Sequence, residues 1–186
     1  MKNTIKLAAV IAALTLPVAA YAVDLDESNL TYTYAEVGFT DRDFDGPSVD
    51  GFLLNGSYEI TDLIFVYGGY TDLSGDGDTS TLVGGAGISM ALTDMIDGYA
   101  KAGLISDERG ASDDLGLGVE VGVRSMIMDQ VEAFGNVQIV DIYNDNDVAL
   151  EVGGRYWLKS DLGFSASYTS GDFLGSGVTV AARYNF

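Results

Sequence analysis

The sequence predicts an all-β protein, an antiparallel transmembrane β-barrel of ten strands, with eight strands as the alternative. After residue 22, hydrophobic residues alternate with polar or small residues at a period of two. Ten such segments follow one another, and each has about the ~10 residues that a tilted membrane strand needs. The connections between them are of two alternating kinds, which is typical of a barrel with a different turn type on each rim.

The first 22 residues are predicted to be a secretory signal peptide. Lys2 and Lys6 form a short basic start, and the apolar run at 7–16 is half of the ~20 residues that span a bilayer as a helix. Ala20-Tyr21-Ala22 provides the small residues that signal peptidase recognises. We expect cleavage after Ala22, export to the bacterial outer membrane and one barrel domain at residues 23–186.

The alternation gives approximate boundaries for each strand. The predicted strands lie at 29–39, 50–60, 63–72, 80–91, 96–106, 115–126, 131–142, 148–159, 162–171 and 177–186. In the sixth strand the aliphatic side chains share one face, whereas glycines, Glu120 and Arg124 share the other. The last strand repeats this scheme up to Phe186.

Short connections alternate with longer, acidic ones. The short ones lie at 61–62, 93–94, 128–130 and 160–161, and the acidic ones at 41–46, 74–78, 108–110, 144–147 and Asp172. Membrane barrels carry short turns on the periplasmic side and longer loops outside the cell, and an even strand number leaves both termini in the periplasm. The acidic loops are therefore predicted to be extracellular.

A soluble β-sandwich would also alternate with a period of two, so the second face of the strands decides between the two folds. That face consists mostly of small residues, such as Gly116, Gly118, Gly153 and Ser167. In a sandwich it would be an unusually bare solvent surface. In a narrow barrel, small residues fit the crowded interior while aliphatic side chains face lipid. The membrane barrel is the better interpretation.

The composition excludes several functional classes. The chain has no histidine, which serves as the catalytic acid or base in hydrolases built on outer-membrane barrels. It has no cysteine either, so the usual ligands of a zinc site are missing. The formal charge of −19 becomes −21 after removal of Lys2 and Lys6, and such a charge repels the phosphates of nucleic acids. We expect no enzymatic activity, no cofactor and no nucleic-acid partner.

Seven charged residues on the small-residue face are expected to point into the lumen, because a Lys or Arg facing lipid at the midplane costs ~2–4 kcal/mol. They are Glu36, Lys101, Glu120, Arg124, Glu151, Arg155 and Arg183. Charges four residues apart on one strand are separated by about 13 Å, so each needs a partner on another strand. The network is either a selectivity ring in a narrow pore or a set of fully paired interior charges that fills and closes the barrel. We prefer the second interpretation.

One acidic loop partly matches a calcium-binding pattern. Asp41, Asp43, Asp45 and Gly46 agree with its first half, but the twelfth position is Phe52 instead of a bidentate glutamate. We therefore expect a solvated acidic loop. Divalent cations that bridge such loops to lipopolysaccharide remain an alternative.

Four short segments resemble a known family. They are Tyr32–Phe39 (YTYAEVGF), Tyr67–Tyr70 (YGGY), Glu120–Arg124 (EVGVR) and Arg183–Phe186 (RYNF). They are similar to segments of small proteobacterial outer-membrane β-barrel proteins with an OmpA- and OmpX-like build. The resemblance covers nearly all of residues 23–186 and implies strand packing, with no catalytic residues. It also implies that Phe186, with Tyr184 on the same face, belongs to the signal recognised by the barrel-assembly machinery.

These features predict an outer-membrane barrel with a structural or surface-interaction role and without enzymatic activity. A narrow, porin-like passive channel for small solutes or ions is the alternative. The expected partners are outer-membrane lipid, lipopolysaccharide and, during biogenesis, the barrel-assembly machinery. Nothing in the sequence identifies an extracellular ligand.

Overall fold

The computed structural model describes residues 30–44, 48–75, 78–110, 112–143 and 145–186, which form a closed antiparallel β-barrel. Consecutive strands pair along the chain, and the first strand pairs with the last. The ten strands are β1 (Tyr34–Asp43), β2 (Ser48–Glu59), β3 (Ile64–Ser74), β4 (Thr79–Thr93), β5 (Ile96–Arg109), β6 (Ser112–Met128), β7 (Val131–Ile142), β8 (Asp145–Trp157), β9 (Leu162–Ser170) and β10 (Ser176–Asn185). The predicted ten-stranded barrel is confirmed.

Within these described ranges, no helix is long and apolar enough to cross a membrane. The predicted signal peptide at residues 1–22 lies outside the described residues. Its cleavage after Ala22 therefore stays a prediction.

Side chains alternate between the outer face and the lumen along each strand. On β10, Val178 and Val180 are about half exposed, whereas Thr179 and Arg183 are both 8% exposed. Large apolar side chains are exposed on the outer face of all ten strands, and the buried charged side chains point inward. This distribution is the reverse of that in a soluble protein and is typical of a transmembrane barrel, whose outer face contacts lipid.

The small residues of the inner face make room for aromatic side chains. Several glycines lie directly opposite an aromatic residue on the neighbouring strand, as in the pairs Phe65–Gly87, Tyr99–Gly122 and Phe134–Gly153. A Cβ at Gly153 would lie 2.5 Å from the Phe134 ring and 2.7 Å from the Ser167 Cβ. The rings therefore lie across the glycines, so the face that looks bare in the sequence is covered in the structure.

The first strand differs from its prediction. It was expected at 29–39, but β1 begins at Tyr34 and continues to Asp43. The preceding residues leave the barrel wall because Glu59, on β2, binds them: Tyr32 N donates to Glu59 Oε1 at 3.1 Å, and Thr31 Oγ1 donates to Oε2 at 3.0 Å. The alternation of apolar residues continues through this segment and does not reveal the change of direction.

The acidic connections are shorter than predicted, because β5 runs on to Arg109 and β8 begins at Asp145. Backbone pairing continues beyond the apolar band, whereas hydrophobic alternation marks only the part that faces lipid. The ends of β1, β3, β5, β7 and β9 and the starts of the strands that follow them form one rim, here called the loop rim; its described connecting residues are Phe44, Gly75, Asp78, Gly110, Tyr143 and 171–175. The connections at 60–63, 94–95, 129–130 and 158–161 form the terminal rim, where the barrel also begins and ends. The two rims have connections of similar length.

Candidate functional site

A continuous chain of five charged residues crosses the lumen. Arg124 Nε donates to Glu132 Oε1 at 2.8 Å, and Arg155 Nη1 donates to the same oxygen at 3.1 Å. Arg155 Nη2 donates to Glu36 Oε2 at 2.9 Å, and Arg183 Nε donates to that oxygen at 2.8 Å. These five residues, here called the lumen cluster, lie on β6, β7, β8, β1 and β10. They connect β1 with strands on the opposite side of the barrel.

Glu132 is the most buried member of the lumen cluster, with 0% exposure. Besides Arg124 and Arg155, it accepts a hydrogen bond from Trp157 Nε1 at 3.1 Å. Three positive guanidinium groups thus share two carboxylates, and aromatic rings provide further contact. The guanidinium of Arg183 lies 3.6 Å from the Tyr34 ring centroid, a cation–π distance. Such a network is stable only while every charge keeps its partner.

A second charged group lies on β5 and β6. Lys101 Nζ is 3.0 Å from Glu120 Oε2, and Tyr99 OH donates to Glu120 Oε1 at 2.7 Å. On β8, Glu151 accepts a hydrogen bond from Asn136 Nδ2 at 2.9 Å. These contacts all join different strands, in keeping with the distance that separates charges four residues apart.

All seven charged residues singled out from the sequence line the lumen cavity. Four belong to the lumen cluster, Lys101 and Glu120 form their own pair, and Glu151 makes no ion pair with any described residue. The sequence reasoning missed Glu132 and Arg42. In the alternation along β7, Glu132 falls on the same lumen-facing side as Phe134. It lies next to the turn at 129–130, however, where the sequence pattern predicts a charged residue to be part of the solvated rim.

The segment Leu30–Thr33 lies in the lumen at the terminal rim. The Tyr32 ring stacks on Phe65 with centroids 4.8 Å apart, and the Arg124 guanidinium lies 4.9 Å from the Tyr32 centroid. Arg124 Nη1 also donates to the carbonyl oxygen of Thr31 at 3.0 Å. Leu30 and Tyr32 are both buried. The segment is thus bonded to the barrel wall through Glu59 and to the lumen cluster through Arg124.

The interior between the rims is not completely filled. A cavity of about 300 Å³ is lined by residues from Tyr32 and Glu132 near the terminal rim to Phe44 and Phe173 at the loop rim. Its walls carry hydroxyl and amide groups, among them Asn55, Asn136 and Ser167, together with the charged residues already described. A small hydrophobic cluster of Ile105, Val140 and Ile142 narrows the lumen near the loop rim.

Arg109, at the loop rim, lies within cation–π distance of three aromatic rings. The Arg109 guanidinium lies 4.3 Å from the Phe173 centroid, 5.3 Å from that of Phe44 and 6.0 Å from that of Tyr143. Its Nε also pairs with Asp107 Oδ2 at 2.7 Å. Burial, together with the Asp107 carboxylate, raises the pKa of the Tyr143 hydroxyl, which stays protonated and donates to that carboxylate at 3.2 Å. The contacts connect three loop-rim segments above the cavity.

Of the acidic loop that partly matches a calcium-binding pattern, the structure describes Asp41 and Asp43. Asp41 and Asp43 point outward and are exposed, while Asp45 lies outside the described residues. Across the described ranges, no group of three or more acidic side chains is arranged to hold a metal ion. Ser48 Oγ donates to Asp41 Oδ1 at 3.2 Å, which is the contact of a solvated rim residue.

The residues of the expected assembly signal lie at the terminal rim. Tyr184 and Phe186 are both exposed on the outer face, with ring centroids 5.2 Å apart in an edge-to-face arrangement. The backbone N of Phe186 donates to the carbonyl oxygen of Thr33 at 3.2 Å. Their recognition by the assembly machinery stays a prediction.

The fold is similar to that of solved β-barrel proteins. The KdgM porin, solved in complex with disordered oligogalacturonate, matches with a TM-score of 0.50 and 8% identity over 82% of this chain and 99% of the porin. The NanC porin has a TM-score of 0.48 and 11% identity, over 82% and 98%. LpxR from Salmonella typhimurium has a TM-score of 0.45 and 10% identity, over 83% and 100%. No protein-family model matches the sequence, and no curated relative matches it either. At these identities the likeness concerns the fold alone.

Proposed function

We propose that this chain is a non-enzymatic protein of the bacterial outer membrane, with a structural or surface-interaction role at the loop rim. The lumen cluster is the observation that supports this role most strongly. It spans the barrel, and the segment Leu30–Thr33 is bonded to it at the terminal rim, so the proposed barrel has a closed lumen. Contacts with other molecules would then occur on the outer face and on the acidic loop rim.

Current recordings in a planar bilayer test the closed lumen. We expect the purified, refolded barrel to give no reproducible conductance steps at physiological salt, because buried ion pairs and the Tyr32 ring occupy the path. A reference porin added to the same membrane shows that the bilayer can report a channel. Reproducible steps from the wild-type barrel would overturn the proposal.

The second candidate function is a narrow passive channel for small solutes or ions. The polar cavity of about 300 Å³ favours it, since a barrel with a purely structural interior needs no such space. The fold likeness to the KdgM porin is compatible with this function. Conduction would require the segment Leu30–Thr33 to leave the terminal mouth.

Glu59→Ala separates the two candidates, because the Glu59 carboxylate accepts the hydrogen bonds that hold Thr31, Tyr32 and Thr33. For a gated channel, this variant should conduct more frequently than wild type. Glu108→Ala, which removes an exposed carboxylate at the loop rim, is the matched control and should leave the recordings unchanged. Silence from wild type and both variants would contradict the channel and support the closed barrel.

A further inference from the structure

Arg42 differs from the other cations in the lumen because it forms no ion pair with any residue that the structure describes. Its Nε donates to Thr40 Oγ1 at 2.8 Å, and its Nη2 donates to Thr179 Oγ1 at 3.2 Å. Its Nη1 is buried and has no hydrogen-bond acceptor. Among the described residues, no carboxylate lies within 4.0 Å of Arg42, the limit for an ion pair.

The remaining lumen cations are all paired: Lys101 with Glu120, Arg124 and Arg155 with Glu132, and Arg155 and Arg183 with Glu36. The imbalance extends to hydrogen-bond donors. Arg124 Nη2 and Arg155 Nε are also buried without an acceptor. Each lumen carboxylate named above accepts at least one hydrogen bond. Among the described residues, Arg42 is thus a lumen cation that has both an unused donor and no ion-pair partner, which favours an anion beside it.

The surroundings of Arg42 hold its guanidinium in a fixed orientation. Thr40 is 0% exposed, and its Oγ1 lies 2.8 Å from Thr179 Oγ1, so the two hydroxyls form one buried platform. Arg42 lines the cavity, and so does Ser167, which lies directly opposite Thr179 on β9. A guanidinium held in one orientation, whose Nη1 has no acceptor among the described residues, has donors for a small oxyanion beside the hydroxyls of Thr179 and Ser167.

We propose that Arg42 is the centre of a binding site in the lumen for a small oxyanion of the carboxylate class. The site does not depend on conduction, because the cavity accommodates a bound anion in a closed barrel as well as in a channel. Glu151 limits its affinity, since it lies level with Arg42 in the strand register: Arg42 is opposite Gly177, Gly177 is opposite Thr169, and Thr169 is opposite Glu151. With one charged contact and an opposing carboxylate, the expected affinity is weak, roughly millimolar.

An NMR titration of the refolded barrel in detergent micelles tests the site, with acetate as the probe. At constant ionic strength, maintained with sodium chloride, the backbone amide signals of Thr40, Arg42 and Thr179 should shift in a saturable manner. Acetamide has nearly the same shape but no charge, and it should produce no saturable shift. Linear shifts with acetate throughout the protein would mean an adventitious ion only and would overturn the proposal.

Two variants identify the residue responsible, and both are checked for folding by gel mobility before and after boiling. Arg42→Gln should abolish saturable binding, whereas Glu151→Gln should strengthen it several-fold, because the competing charge is lost. Arg109→Gln is the matched control and should bind acetate like wild type, since Arg109 is already paired with Asp107. Unchanged binding in Arg42→Gln would overturn the proposal. If Arg42→Gln does not fold, unchanged or weaker binding in Glu151→Gln would do the same.

Discussion

Replacing Glu132 with glutamine tests how far the lumen cluster stabilises the barrel. Glutamine keeps the size of the side chain but removes the charge shared by Arg124 and Arg155. It also replaces one carboxylate oxygen with an NH₂ group, a hydrogen-bond donor that faces the guanidinium donors of Arg124 and Arg155. The two guanidinium groups, on side chains that are 5% and 4% exposed, then lose the carboxylate between them.

The magnitude follows from the partners that remain after the Glu132→Gln substitution. Removing one member of a buried ion pair costs roughly 3–5 kcal/mol. Part of this loss is recovered, because Arg155 keeps Glu36 at 2.9 Å and Arg124 keeps the carbonyl oxygen of Thr31 at 3.0 Å. We therefore expect the free energy of unfolding to fall by about 3 kcal/mol, the lower end of that range.

Reversible urea unfolding in lipid vesicles measures this change. The single tryptophan, Trp157, reports on the site through its fluorescence, and gel mobility before and after boiling gives a readout independent of that residue. Glu108→Gln alters an exposed carboxylate at the loop rim and should change the free energy by less than ~0.5 kcal/mol. A Glu132→Gln barrel as stable as this control would refute the reasoning.

Adding Arg124→Met to Glu132→Gln extends the test. In the double variant no Arg124 guanidinium is left buried without its carboxylate. The decrease in its free energy of unfolding should therefore be smaller than the sum of the decreases in the two single variants by ~1 kcal/mol or more. Additive losses would show that the two side chains contribute separately, contrary to the contact at 2.8 Å.

Two further predictions concern barrel packing and assembly. Gly153→Ala should lower the free energy of unfolding by ~1–3 kcal/mol, because the new Cβ would lie 2.5 Å from the Phe134 ring. Gly154→Ala should be tolerated in the same urea titration, since its nearest neighbour is 3.6 Å away. Deleting Phe186 should reduce the heat-modifiable barrel in cell envelopes but leave refolding of the purified chain unchanged. Equal amounts in cells would contradict its role as an assembly signal.

The sequence predicted the strand number and the faces because both depend on one local rule, the alternation of side chains along a strand. The rule works well on β10, where Val178, Val180 and Tyr184 are exposed on the outer face and the residues between them, such as Thr179 and Arg183, are buried. It fails at residues 30–33, which continue the alternation but turn into the lumen. Their direction is set by Glu59, 26 to 28 residues further along the chain, and no local pattern includes that contact.

The lumen residues were harder to predict than the strands that carry them. Alternation assigns a side chain to the lumen but gives no height along the barrel axis, and height decides which charges meet. Arg155 and Glu36 are 119 residues apart in the sequence and 2.9 Å apart in the structure. Glu132 and Arg42 could have been found from their phase on β7 and β1, but their nearness to a turn or loop made them resemble rim residues.

The distribution of positive charge connects the lumen with the surface. Of the nine lysines and arginines, Lys2 and Lys6 belong to the predicted signal peptide. Six line the lumen cavity, namely Arg42, Lys101, Arg124, Arg155 and Arg183 within the barrel and Arg109 at its loop rim. Arg109 and Lys159 lie at the two rims, and Arg109 is already paired with Asp107. The membrane favours this division, because cations facing lipid are costly while cations in the lumen compensate buried carboxylates. The loop rim is consequently acidic and without a free described cation, so its surface should attract cationic groups and should approach lipid phosphates only where divalent cations intervene.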